Sequence, residues 1–338
     1  MGPTGSDVSV IQIHPTRHCN LRCQHCYSTS GPEYSGALEI ASLERFLTDA
    51  RAEGFNAIGC SGGEPLVYRD LPRLLACARG LGFATSVTTN GLLLTTRQVT
   101  RLAPHLSLLA ISLDGIPESH DRLRALPGAF RKMREKLKAV RDAGMRFGFI
   151  FTLTFENLNE LDWAAQFAVA EGAALLQIHP LEQVGRARDY ELWPPDDLEL
   201  SCAFIEVARL KKLYGARIAL QLDVADRGMI AREPERAFAV PAPDAAALAE
   251  RPLAALVSPL VVQEDGLIVP IQHGFSPAYA IGRLGGDFRA DAARWKETRY
   301  AAFLDLARGV WERMREAPEH LPFTNWYSAI TEGSVRET

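Results

Sequence analysis

The sequence predicts an α/β fold, a parallel β-sheet with helices packed outside it. Three observations carry this. Short β-branched or apolar runs alternate with longer helix-forming runs over the first two-thirds of the chain. About six such strand–helix units recur, each of the length of a parallel βα unit. Motifs rich in small and polar residues close successive strands: Ser61-Gly62-Gly63-Glu64-Pro65, Thr88-Thr89-Asn90-Gly91 and Ser112-Leu113-Asp114-Gly115. Periodicity alone leaves two arrangements open, a partial barrel and a flat doubly wound sheet.

Val8–His14 is a strand by its β-branched content. A cysteine-bearing loop follows. Ala41–Gly54 reads as a helix stopped by Gly54. Asn56–Cys60 is a short buried strand, Leu71–Leu81 a helix and Ala84–Thr88 a strand. Thr96–Ala103 is helical, Leu108–Leu113 extended, Phe130–Ala143 an amphipathic basic helix and Arg146–Thr154 a strand. Asn159–Glu171 and Leu175–His179 complete the sixth unit. Composition shifts after Gly185. Trp193-Pro194-Pro195 leads into a helix to about Tyr214, Arg217–Val224 suits a strand, and the Ala/Pro-rich Pro234–Pro252 suits a connector. Leu260–Ile271 has the pattern of a hairpin around Glu264-Asp265-Gly266. A single long helix is expected over Ala292–Arg315, with an aromatic tail (Phe323, Trp326, Tyr327) packing behind it.

The 338 residues suffice for one large domain, or a core with a small appendage. Hydrophobic residues make up 47% and charged residues 23%, at a net charge of −4. That balance offers no footprint for nucleic acid or an anionic membrane. The N-terminus lacks the layout of a signal peptide, and no apolar run is long enough to span a bilayer. A soluble, cytoplasmic protein is the expectation.

Six cysteines occur, Cys19, Cys23, Cys26, Cys60, Cys77 and Cys202. In a reducing compartment they point to metal or redox use rather than a disulfide framework. Cys19, Cys23 and Cys26 are spaced to bring three thiols toward one point. Three thiolates on a four-iron cluster leave one iron open to a ligand, the feature that separates catalytic from closed structural metal sites. Zinc is the competing reading, with His14, His18 or His25 as fourth ligand; a purely structural loop is another. Spacing alone does not choose among them.

From Val8 to Arg188 the sequence resembles the radical S-adenosylmethionine (radical SAM) superfamily. The resemblance rests on the three-cysteine loop after the first strand and on the strand-end motifs in order, followed by His120-Asp121 and Arg124. It implies a partial (β/α)6 TIM-like barrel over residues 8–190 after a disordered lead-in at 1–7. A connector at 191–257 and a small C-terminal α+β lobe at 258–338 would follow. It further implies one [4Fe–4S] cluster on Cys19, Cys23 and Cys26 and S-adenosylmethionine as cosubstrate. His25 takes the place of a residue that touches adenine. Gly62, Gly63 and Glu64 correspond to the segment for the methionine amino group. Thr88, Ser112 and Arg124 correspond to contacts with the nucleoside or methionine carboxylate. Asn90 and Asp114 of the same motifs, and Gln177 at the end of the sixth strand, join this cofactor-binding set. His179 beside Gln177 faces the substrate side or serves structure.

The family's chemistry would be reductive cleavage of S-adenosylmethionine to a 5′-deoxyadenosyl radical that takes hydrogen from an unactivated C–H bond. Val261–Leu284 resembles the SPASM/twitch extension of one subgroup, but Ile271 stands where a cluster cysteine is common, followed by Gln272-His273-Gly274. No cysteine follows Cys202. One cluster only is therefore expected, and Cys202 is the candidate hydrogen donor to a substrate radical. The leading expectation is a peptide-modifying enzyme served by an external one-electron donor of flavodoxin or ferredoxin type and by a separate peptide-recognition protein. A radical SAM enzyme of small metabolites is the alternative, and a non-catalytic zinc-binding scaffold the third reading.

Overall fold

Seven strands run parallel at the centre of the protein: β1 (Val10–Ile13), β2 (Ala57–Cys60), β3 (Ala84–Thr89), β4 (Leu108–Ser112), β5 (Phe147–Leu153), β6 (Leu175–Pro180) and β7 (Ala219–Leu222). The structure is a computed structural model and describes residues 8–240, 242–316 and 322–336. The lead-in at 1–7 lies outside the described residues. After β8 (Ala225–Asp226) the chain returns to the sheet as β9 (Leu260–Val262), β10 (Leu267–Pro270) and β11 (Gly282–Arg283), and β12 (Phe323–Thr324) pairs with β8. The order β11-β10-β9-β1-β2-β3-β4-β5-β6-β7 has two free ends, so the sheet forms a partial (β/α)6 barrel extended at both edges.

Inward-packed apolar residues set the register. Ile11, Ile13, Ile58, Val87, Ile111, Phe149, Phe151, Leu176 and Ile178 are all fully buried, as expected of parallel strands covered by helices. The helix Ala129–Asp142 buries Phe130, Met133, Leu137 and Val140 at helical spacing and turns its basic face outward. Gly172, at φ 79°, ends the helix Leu161–Glu171 in the left-handed conformation that favours glycine. Asp196 and Glu199 form a capping box at the start of the helix Asp197–Tyr214.

The expected helix over Ala292–Arg315 is instead two helices, Phe288–Thr298 and Tyr300–Glu316. Arg299 leaves helical geometry at φ −127°. The bend lets Trp295 pack on both Tyr300 and Phe303, with ring centroids 5.8 and 5.6 Å apart. A short helix, Pro117–Leu123, lies between β4 and the basic helix without having been foreseen. The connector carries two short helices, Arg227–Arg232 and Ala245–Glu250.

The hairpin packs as part of the barrel sheet. β9 lies parallel to β1, pairing Ile13 with Val262, and His14 N donates to Val262 O at 2.9 Å. That pairing carries Glu264 to the same end of the sheet as the cysteine loop, where the His273 side chain meets it. No described helix is long and apolar enough to cross a membrane.

Candidate active site

The cysteine loop sits over the C-terminal ends of the parallel strands, the edge where parallel α/β folds bind ligands. It is clamped from several sides. Cys19 N donates to Gly31 O at 3.1 Å and Gln24 N to Leu123 O at 2.8 Å. Arg186, beyond β6, donates from Nε to Cys23 O at 2.8 Å and from Nη2 to Ser30 O at 2.6 Å, and its backbone N–H reaches Cys26 O at 3.1 Å. Asn90 Nδ2 donates to Asn20 Oδ1 at 2.8 Å.

Within this frame Cys19 and Cys23 are buried with Leu21, and Cys26, Leu92 and Leu126 pack against them. Burial pushes the Cys19 thiol up to about 12 and the Cys23 thiol upward as well, the latter opposed by Arg124. Neutral, buried thiols of this kind ionise only when a cation compensates them, as an iron or zinc centre does. Among the described residues, the only three ligating groups within 4.8 Å of one another are His14, Glu264 and His273. Three thiol donors on one loop, with no fourth cysteine beside them among the described residues, fit a multi-iron cluster that keeps one iron open.

One face of the loop carries a charged network. Arg124 donates from Nε to Asp114 Oδ2 at 2.6 Å, and its Nη1 reaches Cys23 Sγ at 3.7 Å. Although burial opposes ionisation, Arg124 and the neighbouring imidazoles hold the Asp114 carboxyl well below the usual carboxylate range. Asp114 N donates to His120 Nδ1 at 3.2 Å, and Asn157 Nδ2 to Asp114 O at 3.1 Å. His25 Nε2 lies 4.0 Å from Asp114 Oδ2. Burial lowers both imidazoles to about 4, so both are neutral near pH 7.

The Gly62-Gly63-Glu64 turn packs on the start of the loop, where Gly63 N donates to Thr16 O and Glu64 N to His18 O, both at 3.0 Å. The protein itself requires glycine at both positions. A Cβ on Gly63 would lie 2.3 Å from His18 O, and one on Gly62, at φ 96°, would lie 2.7 Å from His14 Cβ. Glu64 is buried, and its carboxylate is already taken up by the chain. Oε1 accepts from Leu66 N at 3.0 Å and Thr89 Oγ1 at 2.7 Å, and Oε2 accepts from Asn90 N at 2.9 Å. It ties the end of β2 to the end of β3. Thr89, rather than Thr88, is the threonine of this motif that holds Glu64; Thr88 is half-buried on the other strand face. Ser112 is buried at the end of β4.

Gln177 lies farther round the sheet, where its Nε2 donates to Asp223 Oδ2 at 2.8 Å; His179 pairs with the same carboxylate. Cys202 is not gathered with these residues. It is exposed on the helix Asp197–Tyr214, whose buried face is Ala203, Val207 and Leu210. This outward position is the physical reason it fails to join the candidate site.

Arg186, Tyr27, Asp223 and Glu264 were missed in the sequence. Tyr27 Oη lies 3.3 Å from His14 Nε2, and Glu264 lies beside His273. Tyr27 adjoins the last cysteine, a signal available in the sequence. The others are joined to the site only by strand pairing and loop packing.

Residues 13–168 match the Radical SAM superfamily. Over 154 residues the chain is 34% identical to Fe-coproporphyrin III synthase of Methanosarcina barkeri, covering 45% of this chain and 39% of that one. It is 29% identical over 212 residues to PqqA peptide cyclase of Granulibacter bethesdensis, covering 60% of this chain and 56% of that one. The chain thus spans about half the length of the curated relatives it matches. Among solved structures, native anSMEcpe with bound AdoMet and Cp18Cys peptide aligns over 98% of this chain and 97% of its own, at a TM-score of 0.64 and 16% identity. That likeness is one of fold.

Proposed function

The chain carries a radical SAM domain over residues 13–168, and from that premise we propose that it cleaves S-adenosylmethionine reductively and modifies a ribosomally made peptide. One observation carries the proposal: two buried thiols, Cys19 and Cys23, gather with the half-buried Cys26 in one loop after β1, and Arg124, held by Asp114, reaches Cys23. Enzymes of this superfamily carry a [4Fe–4S] cluster; Cys19, Cys23 and Cys26 would hold it here. When bound, the cluster supplies the electron that splits the sulfonium of S-adenosylmethionine, and the 5′-deoxyadenosyl radical released takes hydrogen from an unactivated C–H bond.

The chain's own residues bind, orient and exclude water. Arg124 places positive charge against Cys23 and offsets the negative charge of the thiolates. Leu21, Leu92 and Leu126 keep water from the sulfurs. Glu64 and Asn90 hold the ends of β2 and β3 and the cysteine loop in one arrangement. His25, Gly62, Gly63, Thr88, Ser112, Asp114 and Gln177 are proposed as the surrounding surface for S-adenosylmethionine. No side chain is needed as general acid or base in the cleavage step.

A peptide substrate is supported by the likeness to PqqA peptide cyclase and by the shared fold of anSMEcpe, which binds a peptide. In this reading residues 258–338 act as a twitch-like extension without its own cluster, because no cysteine follows Cys202. An external flavodoxin- or ferredoxin-like donor supplies the electron, a separate protein presents the peptide, and the enzyme works in the cytoplasm. The test is anaerobic incubation with S-adenosylmethionine, dithionite and the short peptides encoded beside the gene, read by mass spectrometry. A peptide altered in mass or stereochemistry, together with 5′-deoxyadenosine, is expected. Peptides left intact while 5′-deoxyadenosine accumulates would overturn the peptide assignment.

The 34% identity to a Fe-coproporphyrin III synthase favours a second reading, a small-metabolite substrate of tetrapyrrole type. The same incubation with iron tetrapyrrole precursors, read for a tetrapyrrole product of changed mass such as Fe-coproporphyrin III, distinguishes the two.

A further inference from the structure

His14, Glu264 and His273 come from three places in the chain and meet beside the cysteine loop. His14 follows β1, Glu264 lies two residues past β9, and His273 lies three past β10. Their ligating atoms all fall within 4.8 Å of one another. His273 Nε2 is 3.1 Å from Glu264 Oε2, and His14 Nδ1 is 3.9 Å from the same oxygen. The two imidazole rings stack at 5.1 Å between centroids.

One atom in this cluster is unexplained by the protein alone. His14 is 1% exposed, and its Nδ1 is buried without a hydrogen-bond partner. Leaving a buried polar atom unpaired forfeits its solvation with nothing in return. Its other nitrogen, Nε2, faces Tyr27 Oη at 3.3 Å. When Nε2–H donates to Tyr27, Nδ1 presents its lone pair to the Glu264 carboxylate, acceptor against acceptor. A cation between them satisfies both.

The surroundings hold this geometry. Gly62 packs closely on His14, for a Cβ there would lie 2.7 Å from His14 Cβ. Arg17 Nε lies 3.9 Å from Glu264 Oε1, the oxygen that does not face the histidines. Ile271, at φ 67°, adopts a left-handed conformation unusual for a β-branched residue and turns the chain toward His273. Strain of this kind persists where surrounding structure over-determines it.

We propose that His14, Glu264 and His273 form a mononuclear site for a divalent first-row transition cation of the zinc or ferrous type, separate from the cysteine loop. Two imidazoles and one carboxylate are the ligand set of catalytic zinc and of non-haem iron sites, and both leave positions open. Tyr27 fixes the orientation of His14 from its far nitrogen, as outer partners of metal-bound histidines do. The cation would join the end of β1 to the neighbouring β9–β10 hairpin. The inference does not rest on the proposed radical chemistry.

The test uses the full chain reconstituted with iron and sulfide, then given one equivalent of Zn2+ and desalted. About one zinc per chain is expected, with a zinc-edge absorption spectrum of nitrogen and oxygen ligands and no sulfur. His273→Ala and Glu264→Gln should each weaken zinc retention by roughly tenfold or more and leave iron unchanged. Zn2+ should raise the melting temperature of the parent chain and leave that of these variants unmoved. His273→Cys should restore zinc binding with one sulfur ligand. If His273→Ala does not fold, His273→Gln supplies the same reading. Replacing Cys19, Cys23 and Cys26 together by Ser should remove iron and keep zinc, so failure of the cluster and failure of this site are read separately. Zinc retained equally by the parent and the His273 variants, or zinc bound through sulfur and lost with the cysteines, would overturn the proposal.

Discussion

The Arg124 guanidinium donates to Asp114 Oδ2 at 2.6 Å in a setting where both side chains are buried, Asp114 completely. The pair stands directly behind Cys23, which Arg124 reaches with its second nitrogen. Removing one partner strands the other's charge in the interior. Asp114→Ala is expected to lower unfolding free energy by about 3–5 kcal/mol in urea titration. Arg124→Lys keeps the charge but loses the fork that spans carboxylate and thiol, and should cut iron incorporation. A loss within about 0.5 kcal/mol for Asp114→Ala, the ordinary surface effect, would refute this account.

Stability should fall as the medium is acidified from about pH 6.5 toward 4. Burial lowers the His25 and His120 imidazoles to about 4 in the folded chain, against about 6.5 when unfolded. Between those values the unfolded chain binds protons that the folded chain refuses, so the stability is fully present above about 6.5 and is lost as pH falls. Each imidazole contributes on the order of 3 kcal/mol across the window. Asp114, held low, adds its own loss only at more acidic pH. Urea midpoints from pH 8 to 4.5 measure this, and His120→Gln should flatten the profile. A parent profile already flat over that range contradicts the assignment.

Gly63→Ala tests the seating of the turn on the cysteine loop. The new methyl would lie 2.3 Å from His18 O and 2.9 Å from Thr16 O. Both contacts are backbone, so the loop must move, and Gly63 N would lose its 3.0 Å bond to Thr16 O. We expect destabilisation of about 1–3 kcal/mol or more and a matching loss of bound iron. Ala at the exposed Gly80, where a Cβ meets nothing within 4 Å, is the control and should be neutral or stabilising.

Cys202→Ala should leave S-adenosylmethionine cleavage and product formation unchanged, with stability within about 0.5 kcal/mol of the parent. Its thiol is exposed on the outer helix. A variant that still forms the radical but yields altered product would restore Cys202 to the chemistry.

The barrel was legible because its signals are local. Each strand is a short apolar run, and each strand-end motif is contiguous, so Glu64, Asn90 and Asp114 could be placed at one sheet edge before any contact was known. What the sequence hid depends on pairing between distant segments. Nothing local states that β9 lies beside β1, and so nothing joins His14 to Glu264 or His273. Nothing local marks Arg186, although it clamps Cys23 and Ser30 across 163 and 156 residues. That Gly62 and Gly63 pack directly on His14 and His18 was equally invisible, because it depends on how the turn folds over the cysteine loop. The break at Arg299 carries neither Gly nor Pro and follows from where Trp295 packs.

The central claim is that Cys19, Cys23 and Cys26 hold a cluster that cleaves S-adenosylmethionine. Its most direct test is anaerobic reconstitution with iron and sulfide, followed by dithionite and S-adenosylmethionine with 5′-deoxyadenosine as readout. The account predicts about four iron and four sulfide per chain and release of 5′-deoxyadenosine, both abolished by Cys23→Ala. A chain that takes up no iron, carries zinc on these three thiols and releases no 5′-deoxyadenosine would contradict it.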